Sequence, residues 1–175
     1  MSNFYQEVHG WSVTPSEREW LYNTASDVEA QFSQPVMVNI GVLHGATMHC
    51  LRAGAPSARL FGVDIDYTSY PVREGNVLEA VFIEGDSGVC HVDFKHKIHF
   101  LFVDGDHLYP GVMADIVGWS PKIVVGGVIG FHDYGSLAPH VAGVQKAVNE
   151  WIAHEQVHWE PLQSADSVCG FRRKS

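Results

Sequence analysis

The chain has 175 residues, enough for one domain with a sizeable core, and its 46% hydrophobic and 18% charged residues are ordinary for a globular protein. Eleven Lys and Arg against twenty Asp and Glu give a formal net charge of −9, which argues against nucleic-acid or anionic-membrane partners, since both require a basic surface. No apolar run approaches the roughly 20 residues that span a bilayer, and the polar N-terminus predicts no secretion signal.

The cysteine pattern indicates the redox compartment. Cys50, Cys90 and Cys169 form no CxxC or CxxH pair. Such isolated cysteines are typical of reduced thiols in intracellular proteins. We therefore expect a cytoplasmic protein.

Residues 1–34 are predicted to form an N-terminal helical segment that precedes a core at residues 35–175, all within one domain. The stretch 14–17 (Thr-Pro-Ser-Glu) is typical of a helix start, because Thr or Ser can cap the first turn and an acid there is favoured by the helix dipole. Apolar residues recur at steps of three and four to about Gln34: Trp20, Leu21, Ala25, Val28 and Phe32. Such a leading helix could cover the sheet or the ligand.

Short apolar runs alternate with helical patterns along the core. The predicted strands are 36–40, 59–65, 81–84, 98–103, 123–131, 157–162 and 168–172, and the predicted helices are 46–53, 74–80, 110–119 and 143–155. This alternation predicts a Rossmann-like, doubly wound α/β fold with a mostly parallel seven-stranded sheet. The last two strands follow one another without a helix, which predicts a hairpin that places an antiparallel strand at the sheet edge.

Acids and histidines directly follow the fourth and fifth predicted strands: Asp104, Asp106, His107, His132 and Asp133. The carboxyl ends of parallel strands meet at one edge of a sheet, where open α/β sheets bind their ligands. At such an edge a histidine can take a proton, and paired carboxylates can hold a divalent cation. The alternative is structural: each histidine could be bonded to the backbone, and each aspartate could cap a helix or loop.

A glycine turn and polar residues follow the first three predicted strands. Gly41 and Gly45 would let backbone N–H groups approach a bound group at a helix N-terminus. Asp64 has the spacing of a ribose-binding acid, and Asp86-Ser87 could meet an adenine amino group. In chain order these features describe an adenosine site. Taken singly, the turn could be an ordinary tight turn, Asp64 a surface or capping acid, and Asp86 an N-cap.

Three motifs resemble those of the class I S-adenosylmethionine-dependent methyltransferases: VNIGVLHGAT, GVDID and IEGDS. The resemblance covers about Val36 to Arg172 and implies the fold of that family, with S-adenosylmethionine as cofactor. It implies that Asn39 of the first motif contacts the cofactor, together with the two glycines. The family usually carries an acid at this position, so Asn39 would supply a hydrogen bond without a charge. Asp64 matches the ribose-binding acid of the second motif, and the Asp86-Ser87 pair matches the adenine turn of the third.

The chain is most similar to the metal-dependent small-molecule O-methyltransferases, such as the catechol and macrolide-sugar enzymes. That resemblance implies that Asp104 binds a metal and that His107, three residues on, is a general base. It places Asp133 and His132 as further metal ligands, although the family commonly has two oxygen ligands there. An imidazole suits Zn, Mn or Fe better than Mg, so either the metal differs, His132 is not a ligand, or the metal site has been lost. If a metal is bound, we expect Mg, Mn or Zn. Asp104, His107 and His132 are the predicted catalytic residues.

We therefore expect S-adenosylmethionine-dependent methyl transfer to a small-molecule acceptor, most simply a hydroxyl, with possible metal assistance. The first alternative is a non-catalytic module that binds the cofactor, because Asn39 and His132 depart from the family pattern. The second is a nicotinamide-dependent oxidoreductase, which the missing GxGxxG disfavours. The short chain leaves little material for a substrate-binding cap, so a homo-oligomer could complete the acceptor site.

Overall fold

The structure is a computed structural model that describes residues 13–67, 78–136 and 138–175. Within these ranges there are five α-helices: α1 (Pro15–Gln31), α2 (Ala46–Gly54), α3 (Ser87–Cys90), α4 (Tyr109–Trp119) and α5 (Ala142–Glu155). There are seven strands: β1 (Val36–Ile40), β2 (Arg59–Asp64), β3 (Val81–Glu84), β4 (Ile98–Val103), β5 (Ile123–Phe131), β6 (Trp159–Pro161) and β7 (Cys169–Arg173). Short 3₁₀ helices cover Ser120–Lys122 and Pro139–Val141.

All seven strands belong to one sheet in the order β3-β2-β1-β4-β5-β7-β6. Strands β1 to β5 are parallel, whereas β7 is antiparallel to both β5 and β6. The last residues of β1, β4 and β5 lie side by side, because Ile40 pairs with Val103 and Val103 with Phe131. The residues that follow these three strands therefore emerge at one edge.

The predicted α/β architecture with its mostly parallel seven-stranded sheet is confirmed. The antiparallel strand β7 lies one place inside the sheet, and its hairpin partner β6 forms the edge. Helix α1 ends at Gln31, earlier than the predicted Gln34, and the one-turn helix α3 was not predicted. The helix predicted at 74–80 falls mostly outside the described residues, and residues 78–80 are not helical.

Helices cover both faces of the sheet, because alternate side chains of a strand point to opposite sides. Met37 of β1 packs in an apolar cluster with α1 and α2, whereas its neighbour Val38 packs with α4 and α5. The start of α1 is fixed by a capping box between Thr14 and Glu17. Within the described ranges, every helix is too short or too polar to cross a membrane. The division into 1–34 and 35–175 stays a prediction.

Candidate active site

The glycine turn after β1 is pressed against the loop after β4. Gly41 has φ +81°, and a Cβ added there would lie 1.9 Å from the backbone oxygen of Asp104. Gly45 has φ +78° and is the N-cap of α2. The backbone N–H groups of Val42 and Leu43 donate to Asp64 Oδ2 at 2.6 and 3.0 Å. The structure thus brings the predicted turn and the predicted ribose acid together.

Asn39, the fourth residue of β1, is fully buried beneath this turn. Its Nδ2 donates to the backbone oxygen of Gly41 at 2.9 Å. Within the described ranges its Oδ1 has no hydrogen-bond partner. Asn39 therefore supports the turn from below, and its predicted contact with the cofactor stays a prediction.

The loop after β3 forms the other end of the same cleft. Asp86 is the N-cap of α3 and accepts a hydrogen bond from the Gly88 backbone at 2.8 Å. The backbone oxygen of Ser87 accepts one from Trp119 Nε1 at 3.0 Å. The cleft has a volume of about 510 Å³ and is lined by Gly41, Asp64, Ile65, Asp86, Ser87 and His107, among others. The capping role and a contact with adenine are compatible for Asp86, because the cap uses Oδ1 alone.

A second cavity of about 310 Å³ adjoins the cleft, because both are lined by Gly41, Leu43, Asp104 and His107. Its other lining residues include His132, Asp133 and His140. Asp133 has φ +58°, a left-handed conformation that is uncommon outside glycine and more frequent at functional sites. The predicted catalytic and metal residues therefore all line this second cavity, and two of them, Asp104 and His107, also line the cleft.

His132 lies among three carboxylates and is 8% exposed. Its Nδ1 is 3.2 Å from Asp104 Oδ1 and 3.5 Å from Asp133 Oδ2, and its Nε2 is 3.2 Å from Glu17 Oε2. Burial lowers the pKa of His132, but the hydrogen bonds to the three carboxylates outweigh it and raise the pKa to about 12. The metal and catalytic roles of His132 stay predictions. Among the described residues, the group whose ligand atoms lie close enough together to hold a cation contains His107 and not His132.

The side chain of His107 is 35% exposed and faces the cavity mouth. Its Nε2 is 3.2 Å from Asp133 Oδ2 and 3.6 Å from Asp104 Oδ1, yet it makes no hydrogen bond of good geometry within the described ranges. Asp104 and, more weakly, Asp133 raise the pKa of His107 above its usual value, against the effect of burial.

Asp104, His107 and Asp133 could together hold a metal ion, because each offers one ligand atom and these atoms lie within 4.8 Å of one another. Two carboxylate oxygens and one imidazole suit Mn, Zn or Mg. The buried His107 nitrogen without a hydrogen bond supports this fit. The residues present therefore fit a divalent cation.

Glu17 was missed as a site residue. Its Oε2 accepts from the Thr14 backbone at 2.8 Å and lies against His132, while its Oε1 accepts from the backbone and hydroxyl of Ser167. Burial would raise the pKa of Glu17, but hydrogen bonds from His132, Ser167 and Thr14 lower it to about 2. The sequence showed only an acid in a first helical turn, since 115 residues separate Glu17 from His132.

Comparison with protein families supports the predicted kind of domain. A family model described as "Methyltransferase domain" matches residues 38–134, more than half of the chain. The matched span contains every site residue predicted from the sequence. No curated protein sequence matches the chain significantly.

Solved structures confirm the predicted fold. The O-methyltransferase NovP superposes with a TM-score of 0.72 at 17% identity, over 91% of this chain and 80% of NovP. An O-methyltransferase from Bacillus cereus in complex with SAH also gives 0.72 at 17% identity, over 98% and 87% of the two chains. MycE, a methyltransferase from the mycinamycin biosynthetic pathway in complex with Mg and SAH, gives 0.65 at 17%, over 93% and 56%. At these identities the likeness shows the fold alone.

Proposed function

Because the chain belongs to the methyltransferase-domain family, we propose that it transfers a methyl group from S-adenosylmethionine to a hydroxyl group of a small molecule. The observation that carries this proposal is the pair of adjoining cavities with Asp104 and His107 in both linings. One cavity has the features of an adenosine site, and the other has room for an acceptor. The SAH bound to the Bacillus cereus enzyme and to MycE supports the same cofactor here.

The adenosine end would bind the cofactor through groups already in place. Asp64 Oδ1 would accept from the ribose hydroxyls, since Oδ2 already accepts from two turn amides and Oδ1 accepts one longer bond from the Asp66 backbone at 3.3 Å. Asp86 and Ser87 would face the adenine edge, and the exposed Ile65 side chain offers an apolar surface to its ring. The methionine end would then lie over the glycine turn, with its sulfonium methyl toward Asp104 and His107.

Methyl transfer forms one bond and breaks another. The acceptor oxygen attacks the methyl carbon, the carbon–sulfur bond breaks, and its electron pair returns to sulfur, which leaves S-adenosylhomocysteine. The hydroxyl proton passes to the imidazole of His107, whose half-exposed side chain lines the cavity. Alignment of the two reactants supplies much of the rate enhancement, up to roughly 7–11 kcal/mol in ideal cases.

Asp104 and Asp133 would hold a divalent cation, with His107 as the third ligand when it is not the base. A bound cation would favour the ionised form of the acceptor hydroxyl. The Mg in the MycE complex supports a metal in this fold. One nitrogen cannot bind a cation and take a proton together, so a metal titration decides between the two roles of His107.

The test is calorimetric titration of S-adenosylmethionine, with and without Mg²⁺, Mn²⁺ or Zn²⁺, followed by a screen of hydroxylated acceptors. We expect the wild type to bind the cofactor and to show a heat of metal binding. The heat of metal binding should be lost in the Asp104→Ala, Asp133→Ala double variant. Cofactor binding without turnover would favour the non-catalytic module. Absence of cofactor binding would overturn the proposal. A cytoplasmic location and a homo-oligomer stay predictions from the sequence.

A further inference from the structure

We propose, building on the methyl transfer proposed above, that Glu17 is a positioning residue for the reaction. It fixes the His132 ring so that Nδ1 holds the carboxylates of Asp104 and Asp133 in place. The N-terminal helix α1 would thus belong to the functional site as well as to the scaffold.

Glu17 makes more contacts than a residue that only caps a helix requires. A capping-box glutamate needs one hydrogen bond to the N-cap backbone, and Thr14 supplies it at 2.8 Å. Glu17 is nevertheless only 1% exposed and turned toward the sheet, where Ser167 donates to Oε1 and His132 lies against Oε2. A buried carboxylate is destabilising unless it is paired, and His132 is its pairing partner.

The His132 ring is held at both ends. Nε2 faces Glu17 at 3.2 Å, and Nδ1 faces Asp104 at 3.2 Å and Asp133 at 3.5 Å. A ring nitrogen carries a proton when it donates to a carboxylate, so the proposal places a proton on both nitrogens of His132. Removal of the Glu17 charge would release one end of the ring, so its Nδ1 would no longer fix the two aspartates.

Two conservative variants separate positioning from stability. Glu17→Gln keeps the size of the side chain and a capping acceptor, since Gln also serves in capping boxes, but it removes the charge that faces His132. Ser167→Ala removes a hydroxyl donor on the opposite oxygen, 2.6 Å from Oε1, and leaves the contact between Glu17 and His132 intact. Both variants disturb the hydrogen bonds between Glu17 and Ser167, because the NH₂ group of the Gln amide cannot accept from Ser167. A role that acts only through Ser167 therefore predicts losses of kcat in both variants.

The kinetic test measures kcat and the KM for S-adenosylmethionine with an acceptor from the screen. Glu17→Gln is expected to lower kcat by about tenfold or more, as is typical when a residue that orients a reacting group is replaced, with the cofactor KM within about twofold. Ser167→Ala is expected to keep kcat within about twofold. Equal losses of kcat in both variants, or an unchanged kcat in Glu17→Gln, would overturn the proposal.

A second measurement does not depend on turnover. In the cofactor-free protein, NMR of the ¹⁵N-labelled chain should show two His132 ring N–H signals, assigned by their absence in His132→Gln. The signal of Nε2–H is expected to be lost or shifted in Glu17→Gln and retained in Ser167→Ala. If the wild type methylates no acceptor but these signals respond as expected, the proposed function fails and the positioning holds. Unchanged His132 signals in Glu17→Gln would overturn the positioning role of Glu17 and leave the proposed methyl transfer unaffected.

Discussion

The adenosine end of the site, in the cleft, and the reaction end, in the second cavity, are held together by different kinds of contact. At the adenosine end, acids accept hydrogen bonds from backbone amides nearby: Asp64 holds the glycine turn, and Asp86 caps α3. At the reaction end, ionisable side chains face one another, and His132 lies among three carboxylates. The adenosine end is therefore held by acids that accept from the backbone of the loops after β1 and β3, whereas the reaction end depends on contacts between side chains of α1 and of the loops after β4 and β5.

The largest effect is expected from the reaction end. His107→Gln replaces the predicted base, whose side chain lines both cavities and whose Nε2 has no hydrogen-bond partner among the described residues. General-base catalysis typically contributes 10²–10⁴-fold, so kcat should fall by about that factor while the calorimetric Kd for S-adenosylmethionine stays within about twofold. The exposed His154 provides the matched control, since His154→Gln should leave both quantities unchanged. A large loss of cofactor affinity in His107→Gln would mean that the two ends are not independent.

The second-largest effect is expected where the glycine turn touches the loop after β4, between the adenosine end and the reaction end. Gly41→Ala would place a Cβ 1.9 Å from the backbone oxygen of Asp104, in addition to the strain of φ +81°. We expect a loss of more than about 2 kcal/mol in the free energy of unfolding, measured with urea. Gly135→Ala is the control, because Gly135 has φ +78° with nothing within 4 Å of the added Cβ. It should lose only about 1 kcal/mol, and equal losses would show that the turn does not press on the loop after β4.

At the adenosine end, Asp64→Ala is expected to weaken S-adenosylmethionine binding by about 10–100-fold. The reason is that hydrogen bonds to a charged group contribute about 1.5–3 kcal/mol each, and the variant also frees the amides of Val42 and Leu43. Calorimetric titration measures the Kd. Asp93→Ala, which changes an exposed acid outside the cleft, should bind the cofactor as the wild type does. Unchanged affinity in Asp64→Ala would remove the ribose role.

The same contrast explains what the sequence could predict. Strands, turns and the acids that follow them are local signals, so the sheet and the meeting of Asp104, His107, His132 and Asp133 at one edge were predictable. Local signals do not report which way a side chain faces across the sheet. The contact of Glu17 with His132 and the burial of His132 depend on how α1 packs against the sheet, so the sequence distinguished neither residue from an ordinary cap or ligand.

For the same reason, the sequence did not predict that Asp115, near the adenosine end, is a buried acid. Asp115 lies within the apolar pattern of α4, is 1% exposed, and has no hydrogen bond on either oxygen within the described ranges. Burial raises its pKa to about 6, although the nearby Ser87 lowers it. Between about pH 4 and pH 6 the folded state therefore holds a proton that the unfolded state has released. The contribution of this group to stability is complete below pH 4 and is lost as the pH rises to about 6.

Asp115→Asn, which carries no titrating group, should remove this loss and test whether the adenosine end contains an unfavourable charge. Two pKa units correspond to about 3 kcal/mol, so we expect the variant to gain up to that amount over the wild type at pH 7.5, measured by urea unfolding. The difference should shrink as the pH falls from 6 to 4. The control is Asp93→Asn, at an exposed residue. Its free energy of unfolding should differ from that of the wild type by less than about 0.5 kcal/mol at pH 7.5 and at pH 4. If Asp115→Asn gains the same free energy of unfolding at pH 7.5 and at pH 4, Asp115 destabilises the fold through packing and not through its charge. The adenosine end would then contain no uncompensated charge.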